Sequence, residues 1–178
     1  MSLKKLTPAL WAALPVFLLD LGSKELVLRG LQLEESRELC SFFNLVLVMN
    51  SGAAFSLFAG DGGGQGLKMA LLSLFALVPL GVLFYLARKE ERLQIASLGL
   101  VFGGAWGNIL DRLRHGAVVD FLDFHLGDRH WPAFNLADVA VVLGLAFFLL
   151  SLVLTRSPRK FSGQAGGKKR EGSRKPSR

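Results

Sequence analysis

Cysteine is almost absent from this 178-residue chain, Cys40 being the only one. That excludes an internal disulfide framework, and no CxxC pair or Cys/His ladder offers structural zinc. Histidine is scarce too. His115, His125 and His130 could bind metal with nearby acids, but their spacing matches no zinc pattern, so neither a metal nor a cofactor is expected. No serine or cysteine stands beside a histidine in a local motif, which leaves a nucleophilic hydrolase little support. The glycine-rich stretch 60–66, GDGGGQG, lacks the GK[ST] ending of a phosphate-binding loop and reads as a flexible connector.

Charge is the last thing missing, and only from particular stretches. A mean hydropathy of +0.41 beside 20% charged residues requires the apolar residues to be segregated. Uncharged runs cover 69–87 and 93–110, and a third covers 139–155, extending upstream if Asp138 is admitted. The first candidate, 6–22, carries only Asp20. About 20 mostly apolar residues cross a bilayer core of roughly 30 Å, so four spans are predicted, near 6–22, 69–87, 93–112 and 135–155. Lys4 and Lys5 before an apolar run resemble a secretory leader, but no small-x-small site precedes Asp20, so a retained helix is expected, kinked at Pro15. The chain divides into a membrane domain, 1–155, and a basic tail, 156–178, expected to be disordered and drawn to anionic lipid rather than to nucleic acid.

Basic residues set the direction. Segments 1–5, 88–92 and 156–178 hold fourteen of the 21 Lys and Arg but only three of the 14 acids. The positive-inside rule therefore puts both termini in the cytoplasm. A long segment, 23–68, and a short one, 113–132, face outward. Within the long one, FFNLVLVMN at 42–50 and the run 53–58 read as strands of a small sheet on the membrane surface.

The informative residues are polar ones at one depth. At about 1.5 Å per residue, Asp111 lies about 27 Å along the third helix, Asp138 about 26 Å from the far end of the fourth, and Asp20 about 21 Å along the first. All three fall in the outer third of the membrane. Asn108 and Asp111 share a helix face, as do Asn135 and Asp138, with Asp120 between them in sequence. Ionisable groups at such depth face a bundle interior or wet cavity and mark function. Blander readings exist for each: Asn135 or Asp138 could cap a helix, Arg112 could snorkel, and Asp120, Asp123 and Asp128 could be loop acids. The stripe Gly99, Gly103, Gly107 needs only a packing explanation. Two carboxylates brought together would share one proton, so that one activates water while its protonated partner polarises a peptide carbonyl.

Four stretches carry a resemblance: DLGSK at 20–24, NSGAAF at 50–55, GGAWGNILDRLRHGAVVDF at 103–121 and FNLAD at 134–138. In this order and spacing the chain resembles the lipoprotein signal peptidases, the type II signal peptidases of bacteria. The resemblance implies an intramembrane aspartic endopeptidase that cleaves prolipoproteins before a diacylglyceryl-modified cysteine. It implies catalytic aspartates at Asp120 and Asp138, with supporting positions at Asp20, Asn50, Asn108, Asp111, Arg112 and Asn135. It also implies a membrane α-helical fold: four transmembrane helices with a small outer, periplasmic-side β-sheet cradling the substrate. The expected partners are lipid-modified prolipoproteins and membrane lipid, with no nucleic acid, and the chain is expected to be a monomer. The expected place is the bacterial inner membrane, multi-pass, with the site near the outer face. Trp106 stands where a smaller aliphatic residue is common, and the tail beyond Ser157 lies outside the shared core. The rival class is a small proton- or ion-coupled transport protein, in which buried acids relay protons; four spans without an internal repeat suit it poorly.

Overall fold

The computed structural model describes residues 7–51 and 92–154, together with Leu71 and Gly81, both helical. The rest of the expected second span, the strand at 53–58, the connector at 60–66 and the basic segments at 1–5 and 156–178 lie outside the described residues. Three long helices carry the frame: α1 (Thr7–Gly30), α2 (Arg92–His115) and α3 (Leu136–Leu154). Among them, α2 and α3 are long and apolar enough to cross a membrane.

Helix α1 is longer than expected. It runs unbroken through Pro15 and continues beyond 22 to Gly30, taking in eight residues that the sequence reading gives to the expected outer segment. Local i,i+4 charge pairs permit the extra turns, and the packing of Val27 on the sheet holds them. Lys24 bonds Asp20 at 2.7 Å and Arg29 bonds Glu25 at 2.7 Å, so the polar turns support the helix rather than end it.

Helix α2 is the central element, packed against both α1 and α3. Its glycines explain how closely. A β-carbon at Gly99 or Gly103 would collide with the backbone of Ala9 or Ala13, and one at Gly104 with the backbone of Ala137. One face of α2 is thus fitted to α1 and another to α3, as the packing explanation for the glycine stripe requires. Leu98, Val101 and Phe148 fill the space between α2 and α3.

The sheet is antiparallel, with strands β1 (Ser36–Cys40), β2 (Phe43–Asn50), β3 (Val118–Leu126) and β4 (Arg129–His130) in that spatial order. The strand expected at 42–50 is β2. The segment 113–132, for which no strand was expected, supplies β3 and β4. Alternation in VVDFLDFHL has a buried side made by Val119 and Phe121, which pack with Leu47 against Val27 in the last turns of α1 and Leu31 just beyond it. The unexpected turns of α1 therefore hold the sheet to the helices. Opposite β3, the register of β2 slips by one residue between Leu45 and Val48. Such a bulge bends the strand and re-aims its side chains. Here it lies beside Asp120.

Candidate active site

The start of α3 organises the site. Asn135 is its cap: the Asp138 N–H donates to Asn135 Oδ1 at 3.0 Å, and the Asn135 N–H donates to Asp138 Oδ2 at 3.2 Å. This reciprocal pair satisfies amides that a helix N-terminus leaves without partners. The next amide, that of Ala137, donates across to Asp20 Oδ1 of α1 at 2.9 Å. Capping and site-building are therefore one arrangement, not competing explanations of Asn135 and Asp138.

Having capped the helix with its oxygen, Asn135 points its amide nitrogen at Asp120. Nδ2 donates to Asp120 Oδ1 at 2.7 Å, with longer contacts to Asn108 Oδ1 at 3.2 Å and the Val119 carbonyl at 3.3 Å. The other Asp120 oxygen accepts from Asn50 Nδ2 at 2.8 Å. Asn50 pairs with Val118, so Asp120 is its diagonal neighbour across β2 and β3. Asp120 is 2% exposed. Burial pushes its carboxyl up to about 6; the nearby Asp138 adds to the rise, while the bonds from Asn50 and Asn135 oppose it.

Asp138 receives the Asn108 amide from α2, Nδ2 to Oδ1 at 2.8 Å. One turn further along α2, Asp111 accepts the Val119 N–H at 3.1 Å, fixing the residue before Asp120. Arg112 donates to the Asn108 carbonyl at 3.1 Å and lies within electrostatic reach of Asp111, Asp120 and Asp138. The structure thus brings Asp20, Asn50, Asn108, Asp111, Arg112, Asp120, Asn135 and Asp138 into one connected polar group drawn from all three helices and two strands.

Two features were missed or misplaced by the sequence reading. Lys24 lay inside the DLGSK stretch but received no site role, yet it is 2% exposed and bonds Asp20, Asp111 and Asn108. Its i,i+4 spacing from Asp20 was the available signal. For Asp123 the sequence offers the reading of a loop acid. It is instead a buried strand residue, three positions from Asp120 and so on the opposite side of β3, bonded to Asn44 at 2.9 Å and His130 at 2.9 Å. Partial burial raises its carboxyl, but the bonds from His130 and Asn44 outweigh this and hold it below the usual range. Among the described residues, no group of three or more His, Cys, Asp or Glu side chains is placed to hold a metal.

Comparison with known proteins bears on the family and the fold. The family model described as "Signal peptidase (SPase) II" matches residues 12–154. The lipoprotein signal peptidase of Photorhabdus laumondii is 42% identical over 146 residues, covering 82% of this chain and 87% of its own length. That of Klebsiella aerogenes is 42% identical over 153 residues, covering 86% and 93%. A solved bacterial membrane enzyme, determined by the in meso method, superposes with a TM-score of 0.68 at 26% identity, covering 82% of this chain and 92% of its own. A second such structure gives a TM-score of 0.69 at 24% identity, covering 85% and 93%, and supports the fold. With helices and a small sheet in the arrangement of those enzymes, and the family pattern running through nearly all of the described residues, the chain belongs to the signal peptidase II family.

Proposed function

We propose that Asp120 and Asp138 are the catalytic pair of this peptidase and that the surrounding polar residues hold them in register. A member of this family removes signal peptides from prolipoproteins, and this chain is such a protease of the bacterial membrane. The observation that carries the assignment of the pair is Asn135, which touches both carboxylates from one helix cap.

The chemistry follows from the unequal surroundings of the two acids. Asp120, its carboxyl raised by burial, acts in its protonated form and donates that proton to the scissile carbonyl oxygen. Asp138 accepts a proton from water as the water oxygen bonds to the carbonyl carbon, giving a gem-diol. Asp138 then passes its proton to the departing nitrogen while Asp120 recovers one from the diol as the C–N bond breaks. Each carboxyl ends as it began, and no other reactant is consumed.

In this reading the substrate is cleaved before a diacylglyceryl-modified cysteine, whose acyl chains hold the bond at the outer bilayer boundary. The chain acts as a monomer in the inner membrane: the four-span domain 1–155 has both termini cytoplasmic, the sheet lies on the periplasmic side, and the tail 156–178 is a cytoplasmic anchor. Support comes from the polar group lying at matching depth on α1, α2 and α3, and from the basic residues gathered at 1–5, 88–92 and 156–178. A proton-coupled transporter is not favoured, because the family and its relatives are peptidases.

The deciding experiment is single-turnover cleavage of a diacylglyceryl-modified precursor by detergent-purified protein. Asp120→Asn and Asp138→Asn should each reduce cleavage by at least about 100-fold at matched protein levels. Substantial cleavage by either variant removes that aspartate from the mechanism.

A further inference from the structure

Lys24 is the one buried cation among the described residues that the proposed chemistry leaves without a task. Its ammonium has three donors and three acceptors around it: Asp20 Oδ2 at 2.7 Å, Asp111 Oδ2 at 2.8 Å and Asn108 Oδ1 at 3.0 Å. Two carboxylates would hold the charge without help. The third partner, the amide of Asn108, is the instructive one.

An ammonium can only donate, so it forces the Asn108 oxygen toward itself. The amide is planar, and its nitrogen must then face the other way, where Nδ2 meets Asp138 Oδ1 at 2.8 Å. With the amide reversed, an oxygen would face the Asp138 carboxylate, and that contact is satisfied only if Asp138 carries a proton. Asp138 could then no longer take one from water. Asn135 Nδ2 also reaches Asn108 Oδ1, but at 3.2 Å and while shared with Asp120 and the Val119 carbonyl, so the charge-assisted bond from Lys24 dominates.

We infer that Lys24 is a positioning residue for the hydrolysis, locking the Asn108 amide in the one orientation that leaves Asp138 able to act as base. The inference rests on the assignment of the Asp120 and Asp138 pair. Its second line runs through Asp111, which ties Lys24 to the Val119 N–H immediately before Asp120. Lys24 on α1 thus touches the supports of both acids while touching neither.

A double-mutant cycle tests it. Lys24→Met and Asn108→Ala should each lower kcat for the lipidated precursor on the order of 100-fold, with KM changed less than about threefold. If Lys24 acts through Asn108, the double variant should be no slower than the worse single variant. Multiplicative losses, or a fall in folded fraction that accounts for the lost rate, would make Lys24 a structural residue only and overturn the inference. Lys24→Met leaves two buried carboxylates facing each other, so Lys24→Met/Asp111→Asn, which keeps the net charge of the group, is run in parallel. The same cycle on an Asp111→Asn background then gives the answer even where Lys24→Met does not accumulate. Asp120→Asn and Asp138→Asn in the same preparation separate the two ideas: if either still cleaves, the pair is misassigned, and if both are inactive while the cycle is multiplicative, only the role of Lys24 fails.

Discussion

Gly107 of α2 lies directly against the Asp20 carboxylate of α1, and a β-carbon added there would overlap Asp20 Oδ2. That carboxylate is doubly engaged, holding the Ala137 N–H with one oxygen and Lys24 with the other. It has no slack to move aside. Gly107→Ala should therefore cut cleavage by about tenfold or more and lower stability by about 1–3 kcal/mol, the usual range for overfilling a packed site. Gly22→Ala is the control: its β-carbon meets nothing within 4 Å, so it should keep full activity and gain up to about 1 kcal/mol. Thermal unfolding and cleavage of the two variants together check this, and a Gly107→Ala protein indistinguishable from wild type would show that the carboxylate can yield.

The raised carboxyl of Asp120, at about 6, sets a pH dependence with a definite sign. The acid form needed to protonate the carbonyl is lost as pH rises through that value, so kcat/KM should decline above about pH 6. Stability follows the same direction. The favourable share of a carboxyl held above its ordinary value is complete below about pH 4 and lost as pH climbs through the folded value. Unfolding of Asp120→Asn should lack that decline. A wild-type kcat/KM profile flat from about pH 5 to pH 8 would remove Asp120 as the acid.

Asp123 should behave in the opposite way. Its carboxyl is held low, so its contribution is present above the ordinary carboxylate value of about 4 and disappears only as pH falls through the depressed one. Asp123→Asn should cost about 1 kcal/mol at neutral pH through the weakened bonds to Asn44 and His130, and should remove that acid-side loss. Cleavage should stay within about twofold of wild type, since this side chain points away from Asp120 across the strand. Loss of cleavage equal to that of Asp120→Asn would mean that the acid of VVDFLDF has been assigned to the wrong aspartate.

The orientation is checked by labelling. In a Cys40→Ser background, single cysteines at Gly63 and His125 should react with an impermeant reagent added to intact spheroplasts, while one at Lys169 should react only after the membrane is opened. Labelling of the Lys169 position from outside would reverse the assignment of the two faces.

The linear pattern determined a good deal. Runs of apolar residues are a local property, and so the helices at 92–115 and 136–154 were legible within a few residues of their ends. The glycine stripe announced close packing, because a missing side chain needs no partner to be recognised. The i,i+3 pairs Asn108–Asp111 and Asn135–Asp138 were visible as shared faces, and the motifs naming Asp120 and Asp138 pointed to the family. What remained hidden were the particular contacts between segments distant in the chain. Helix α1 runs on to Gly30 because its last turns pack on β3, which begins almost 90 residues later, and local pattern does not record that contact. The stretch at 118–126 becomes a strand only when β2 pairs with it, which also takes Asp123 out of solvent. Nothing local in the sequence shows that three partners from two helices close around Lys24. A buried charge is tolerated only where the folded chain supplies its counter-charges and acceptors, and where they come together is a property of the tertiary structure alone.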